Sequence, residues 1–399
     1  MKFNQWTVAL ATAGVVSLAS ATAGESSPVN SLVSGVTLSG HVDTSAIWNF
    51  GTGTTVANRF ANTASDRQDG FNLNVVKLKL EKGLDEGTWS AGYNFEMMYG
   101  PDAAVMPGRI ANGDLAIKQA YVALRAPVGN GIDFKVGQFD PTIGYEVTDS
   151  YVNPNFSRSF GFNNLEPFGH QGVLATYQFT EWVGATAGVA NGFGDTTGVT
   201  AARGAAGGGL WNAGTGINAK DGGESIKSYI GGLVFKAPEN FGFLAGSSLY
   251  LGIVDRGFGG GVDDQINYYV GASLSTGVEG LTVGGSYDYV DNLNGVANQY
   301  GYAWALYASY QLNEQLKLSY RAELAGSSGG IHLPGVLNDE QVLGNTLTLD
   351  YALWKNVISR LEYRLDSAVS GSTGAANPLD VFNGQKNDHS LTVNIVYLF

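Results

Sequence analysis

The sequence contains no cysteine, only four histidines, and charge on just 14% of its residues. Without cysteine there is no disulfide framework and no thiolate metal site. The histidines, His41, His170, His332 and His389, form no close pair. None lies in a G-x-S-x-G or comparable nucleophile setting, so no catalytic set, no metal site and no cofactor is assigned, and the chain does not read as an enzyme. His41 and Asp43, two apart on one strand, read as lining. Basic residues are also scarce, 22 against 35 acidic ones, for a formal net charge of -13. That balance argues against a nucleic-acid partner. Long apolar runs are missing after the first 25 residues or so, which excludes a helical membrane span in the rest of the chain. Glycine-rich stretches have no helix after them, so a nucleotide-binding loop is not indicated. The acidic pieces at 262–264 and 338–340 are too small for a calcium loop.

The first residues carry an address. Lys2 is the only charge before Glu25, the stretch from Trp6 to Ala19 is apolar or small, and Ala21-Thr22-Ala23 fits a small-residue cleavage site. Residues 1–23 are therefore expected to be a signal peptide and 24–399 a single mature domain.

Beyond that the dominant period is two. In FNLNVVKLKLEK, Val76, Leu78 and Leu80 face one way, while Lys77, Lys79 and Glu81 face the other. LKLSYRAEL opposes Leu316, Leu318, Tyr320, Ala322 and Leu324 to Lys317, Ser319, Arg321 and Glu323. VISRLEYRLDS opposes Val357, Ser359, Leu361, Tyr363 and Leu365 to Arg360, Glu362, Arg364 and Asp366. About sixteen such runs can be marked: 36–50, 68–83, 87–99, 113–126, 131–139, 169–180, 182–192, 223–236, 242–255, 265–276, 280–291, 298–311, 314–326, 340–352, 356–367 and 387–399. They exceed the five or six residues usual in globular strands and match the length a tilted strand needs to cross a bilayer. In 113–126 neither parity hides both Lys118 and Arg125.

The connections alternate between short turns, such as GLD at 84–86 and WKN near 354–356, and long ones, at about 51–67, 100–112, 140–168, 193–222, 256–264, 292–297, 327–339 and 368–386. One rim of short periplasmic turns and one rim of long extracellular loops is the organisation of an all-β, antiparallel transmembrane barrel. In hydrocarbon every backbone polar group must be paired internally, and a closed barrel does that. Closure requires the last run, LTVNIVYLF, to pair with the first. Aromatic residues gather at run ends as two belts. Trp89, Phe179, Trp182, Phe243, Tyr310, Tyr351, Trp354, Tyr397 and Phe399 lie beside short turns, and Trp48, Phe50, Tyr99 and Tyr268 beside long loops.

The terminal strand, with Ile395, Tyr397 and Phe399 at alternate positions, resembles the C-terminal signature of bacterial outer-membrane barrels. VTLSGHVDTSAIWNF, DGFNLNVVKLKLEKGLDEGTWSAGYNFEMMYGPD, LAIKQAYVALRAPVGNGIDFKVGQFD and IGYEVTDSYVNPNFSRSFGF together resemble the OmpL-like β-barrel porin-2 family. The resemblance implies a diffusion channel in the outer membrane of a Gram-negative bacterium, among lipid and lipopolysaccharide. It also implies handling by the barrel-assembly machinery through Tyr397 and Phe399, and makes a homotrimer an expectation. The solutes would be small and hydrophilic.

A barrel of this strand number encloses water, and selectivity needs a constriction. The candidate is the third long loop, 140–168, carried over from general porins, where the third loop enters the lumen. It carries Asp140, Glu146, Asp149 and Glu166 against Arg158. The inward wall is expected to carry Lys77, Lys79, Lys135, Arg321, Arg360 and Arg364, with Glu81, Glu96, Asp133, Glu323, Glu362 and Asp366 among them. Acid on the loop across from base on the wall would give a transverse field and a weak cation preference. The rival expectation is a non-conducting barrel, an adhesin or anchor whose third loop plugs it.

Overall fold

The computed structural model describes residues 35–50, 70–85, 89–105, 115–194, 227–257, 264–293, 296–329, 339–371, 382 and 385–399. The expected signal peptide and much of the long loops lie outside these residues.

The sixteen strands are β1 Val36–Phe50, β2 Gly70–Lys82, β3 Ser90–Tyr99, β4 Leu115–Ala126, β5 Ile132–Phe139, β6 Gly169–Gln178, β7 Val183–Gly194, β8 Ser228–Lys236, β9 Ser248–Arg256, β10 Gln265–Ser275, β11 Leu281–Asp291, β12 Tyr300–Gln311, β13 Leu316–Ser327, β14 Glu340–Trp354, β15 Val357–Ser370 and β16 Asn387–Leu398. Each matches one period-two run. All neighbours pair antiparallel, and the sheet closes into one barrel through β1 and β16. At the seam Gly40 and Phe399 exchange backbone hydrogen bonds of 2.9 and 3.0 Å.

Alternation sets the facing. Along β15, Arg360, Glu362, Arg364 and Asp366 are buried inside, while Leu361 and Tyr363 are exposed outside. On β16, Thr392 and Asn394 are buried, and Val393, Ile395 and Tyr397 are exposed. Hydrocarbon receives the outer set, since a Lys or Arg there would cost about 2–4 kcal/mol at the midplane. Trp89, Phe179, Trp182, Phe243 and Trp354 stand exposed near the short-turn rim, with Trp48, Phe50 and Tyr99 at the other.

The structure corrects the sequence reading in three places. The run expected at 242–255 begins as a strand only at Ser248, because Glu239–Leu244 forms a 3-10 turn with Gly242 at φ 61°. The parity conflict in β4 is resolved by a bulge. Glu96 pairs with Gln119 and Met97 with Ile117, so Lys118 is the extra residue. Lys118 and Gln119 are both buried, and Arg125 still reaches its inward partner Asp133. A bulge re-aims side chains in just this way. A second register shift on β2, between the Asp43–Val75 and Thr44–Leu73 pairs, accompanies buried Asn74 and Val75.

The third correction concerns the inner face, which is not uniformly polar. Val290, Ala303, Ala325, Val342 and Ala368 form one buried cluster with Phe160 and Leu165. Val75, Met98, Ala103 and Ala116 form another with Phe162 and Phe168. These small apolar positions receive the aromatic residues of the segment between β5 and β6.

Candidate functional site

That segment, 140–168, lies inside the barrel. Every residue from Asn153 to His170 is buried. It contains one short helix, α1, Phe160–Asn164, whose N-cap Ser159 accepts a hydrogen bond from the amide of Phe162. Two internal fastenings hold its shape. Asn153 accepts from the amide of Val147 (2.9 Å) and donates to the Val147 carbonyl (2.7 Å). The Arg158 guanidinium donates to the carbonyls of Val147, Phe156 and Thr148. Arg158 is therefore the loop's own fastening and not a charge facing the lumen. Burial pulls its pKa down to about 10, despite the neighbouring Glu146 and Asp43 carboxylates.

The loop is attached to the wall at four places. At β1–β4, Lys77 bridges Glu96 and Asp149, both at 2.7 Å, and Lys118 meets Asp140 at 2.5 Å. Ser150 donates a hydrogen bond to Asp43, which also accepts from Asn74 and Asn394. Tyr151 packs edge-on to His41, centroids 5.0 Å apart. His41 and Asp43 are thus lining, as read from the sequence.

At β12–β13, Glu146 receives Arg321 at 2.7 Å, and Arg321 also meets Glu323 at 2.6 Å. Tyr307 donates to the same Glu146 oxygen, the Ser159 amide takes the other, and Glu323 accepts the Phe160 amide at the start of α1. At β14–β15, Glu362 accepts the amides of Phe156 and Ser157 as well as the Thr348 hydroxyl. Arg360 donates to the carbonyls of Ser150, Tyr151 and Asn153, and Arg364 to that of Arg158. At β9–β11, Ile143 lies against Gly252 and the Tyr145 hydroxyl over Gly284, where a β-carbon would collide with each. Tyr145 also stacks on Tyr307, rings 4.1 Å apart.

The structure brings together Asp140, Glu146, Asp149, Glu96, Lys77, Arg321, Glu323, Arg360, Glu362 and Arg364, all of which were singled out from the sequence. Their arrangement differs from the expected one. Acid and base are in contact rather than facing across a gap, because charges taken out of water are tolerable only when paired and hydrogen-bonded. Lys79 and Lys135 take no part in the docking. Lys79 pairs with Glu81 at 2.7 Å in a partly exposed bridge, and Lys135 lies 5.0 Å above the Tyr121 ring. Glu166 is buried with no ion pair among the described residues. Burial raises its pKa well above the ordinary value, and the nearby Asp288 and Glu146 carboxylates add to this. Asp149 goes the other way. Burial alone would raise its pKa, but the ammonium groups of Lys77 and Lys118 hold it below the usual carboxylate range.

The sequence reading missed Lys118, Asn74, Thr348 and Asn394 as docking residues. Inward parity was available for the last two. For the first two the bulges hid it.

Comparison with known proteins completes the picture. The model of a family described as "Putative beta-barrel porin-2, OmpL-like" matches residues 35–399. No curated relative matches by sequence. Among solved structures, the outer-membrane channel DcaP of Acinetobacter baumannii aligns with TM-score 0.60 and 13% identity, over 91% of this chain and 97% of that one. An anion-selective porin from Comamonas acidovorans gives 0.58 and 14%, over 91% and 99%. The trimer form of OmpT from Vibrio cholerae gives 0.51 and 11%, over 91% and 99%. At these identities the likeness is one of fold.

Proposed function

The chain belongs to the OmpL-like β-barrel porin-2 family and is a porin-like outer-membrane channel, and from that premise we propose that small hydrophilic solutes and ions diffuse passively through it, past the narrowing made by residues 140–168. The observation that carries this reading is a closed barrel whose charged face turns inward around one long inserted loop. The constriction loop carries Asp140, Glu146, Asp149, Arg158 and Glu166, and the wall that fixes it includes Lys77, Glu96, Arg321, Glu323, Arg360, Glu362 and Arg364. Cation preference is weak. Its source is the acid excess of the chain, 35 acidic against 22 basic residues, which attracts counter-ions to the mouths and is screened by salt. Reversal potentials in a planar bilayer under a KCl gradient test this; a clear anion preference sinks it. The proposal extends to a homotrimer set in lipid and lipopolysaccharide, to be checked by mass of the detergent-extracted protein. It also extends to export by residues 1–23 and to recognition of Tyr397 and Phe399 by the assembly machinery. Deleting Phe399 then lowers the amount of barrel in the membrane and leaves the conductance of assembled molecules unchanged.

One observation favours a second reading, the non-conducting barrel acting as adhesin or anchor. The loop is fastened to most of the circumference, not to one side. Liposome swelling with sugars of increasing size separates the two readings. No swelling with the smallest sugar supports the anchor.

A further inference from the structure

Two kinds of contact hold the inserted loop. On β1–β4 and β12–β15 its acids and carbonyls are gripped by Lys77, Lys118, Arg321, Arg360 and Arg364. On β5–β10 Ile143 sits in an apolar cluster with Leu174, Ile230, Val254 and Tyr269. Towards β11 the Tyr145 hydroxyl lies over Gly284, and Asn267 on β10 donates to the Leu165 carbonyl. Two carboxyls are sealed into this second side. Glu166 is 5% exposed, and Asp288, inward on β11, is 3% exposed. Glu166 closes the two arms of the loop on each other, because its carboxyl lies against Gly144, where a β-carbon would collide with it. The Asp288 carboxyl stands in the same way against Gly161, in the first turn of α1. Neither accepts a hydrogen bond or forms an ion pair among the described residues. The acids on the first side differ: Glu96, Asp149, Glu146, Glu323 and Asp366 each have a cation.

The groups that face this pair are Glu146 and Tyr145 in the loop and Tyr269 on β10. The surrounding cations are engaged elsewhere. Arg321 on β13 holds Glu146 and Glu323, Arg364 on β15 holds Asp366, and Arg158 is bonded to loop carbonyls. Tyr307 on β12 donates to Glu146. A buried carboxyl without a cation is tolerable chiefly as the neutral acid, and two that interact titrate together. We propose that the loop is a proton-held gate: with Glu166 and Asp288 neutral, residues 143–145 and 161–166 rest against β9–β11 and close the lumen there. When the protons leave to lumen water, the two carboxylates repel each other and Glu146. That side of the loop then lifts, while the ion-paired side stays in place as the hinge. The inference rests on the channel reading above and adds its regulation. Its sign follows from burial: docking is present while the pair is protonated and is lost as pH rises.

Current through the full-length protein in planar bilayers tests this over a pH series upward from about 4, the ordinary Glu value. The expected result is an open probability that rises about two-fold or more with pH, as a population shift between two states. The double variant Glu166→Gln/Asp288→Asn keeps both side chains uncharged and is expected to hold the acid behaviour at every pH. Should it fail to insert, Glu166→Gln and Asp288→Asn singly are each expected to reduce the rise, and a full rise in either overturns the proposal. Because the chain has no cysteine, movement can be read apart from current. Ser286→Cys, buried on β11 beside the pair, is treated with a charged methanethiosulfonate in the native and the amide backgrounds. Comparison at equal pH removes the titration of the thiol itself. The adduct at 286 is expected to grow with pH in the native background only, and Ser319→Cys, on the fixed side, to show no such difference. A rise in current or labelling that persists in the double variant overturns the proposal, as does opening driven at fixed pH by removing divalent cations. Current that ignores pH overturns the gate but not the channel. No current at any pH overturns the channel reading. Labelling at 286 then decides the release by itself, supporting it if the rise is confined to the native background and overturning it if not.

Discussion

Two sectors of the same lumen wall, β13–β16 and β5–β8, are both antiparallel sheet and differ in chemistry. The first carries Arg321, Glu323, Arg360, Glu362, Arg364 and Asp366 at inward positions, all buried. The second carries Phe139, Leu174, Ala190 and Ile230, buried in one apolar cluster with Ile143 of the loop, beside part-exposed Thr176 and Thr186. Inward charge is commonly taken as the wet face of a barrel. Here the charges are the adhesive on one side, and apolar contact with Ile143 is the adhesive on the other. A buried guanidinium such as Arg321, held by Glu146, Glu323 and the Ser157 carbonyl, satisfies its donors only because the loop supplies the acceptors. Charge on an inner strand face therefore signals water or a docked segment, and only the partner decides which.

The largest expected effect comes from removing that partner. Deletion of 146–164 should turn the docked β13–β16 sector wet: single-channel conductance rises several-fold, and cysteines introduced by Ser319→Cys and Thr392→Cys become reactive. Unchanged conductance would mean that the loop does not limit the path. Next comes Arg321→Ala, which leaves Glu146 and Glu323 buried without their cation. Breaking such a pair costs about 3–5 kcal/mol. The cost should appear as protease sensitivity within 140–168 and as noisy open-channel current, with the barrel still resisting denaturation.

Acidity acts more mildly, and with opposite sign at the two ends of the loop. Asp149, held below its unfolded value, contributes stability that is present above about pH 4 and lost only as pH falls through its depressed folded value. Glu166, raised above its unfolded value, packs best when protonated, so its contribution is lost as pH rises from about 4 towards the raised value. Current noise should therefore grow as pH rises above about 4, the ordinary Glu pKa, and Glu166→Gln should flatten the dependence. A dependence that survives the substitution assigns it elsewhere. The smallest effect is expected for Lys79→Gln. Its bridge to Glu81 is partly exposed, and such pairs are worth about 0–1 kcal/mol, so the melting temperature should hold.

The difference between the sectors also marks what a sequence exposes. Strand number, alternation and closure are local or additive properties, and the sixteen runs and the facing of β13, β15 and β16 were legible from residue spacing alone. The loop was legible by its length and place. Its docking was not. Arg321 meets Glu146 across 175 residues of chain, and no periodicity carries such a pairing. At Lys118 even the local rule failed, because one extra residue in the ladder reverses the parity of everything beyond it.

The seam adds a consequence in time. Gly40 and Phe399 hold each other by backbone bonds, and the Phe399 ring covers Gly40. The clasp of the ring is thus made by the first strand and the sixteenth, far apart in sequence. Until β16 is in place β1 has one open edge, and no smaller set of strands satisfies its hydrogen bonds. Such distant pairing is slow to find, so the earlier strands must be kept in waiting until β16 arrives. That strand then acts as the closing piece, and only the closed ring can enter hydrocarbon without leaving backbone unpaired.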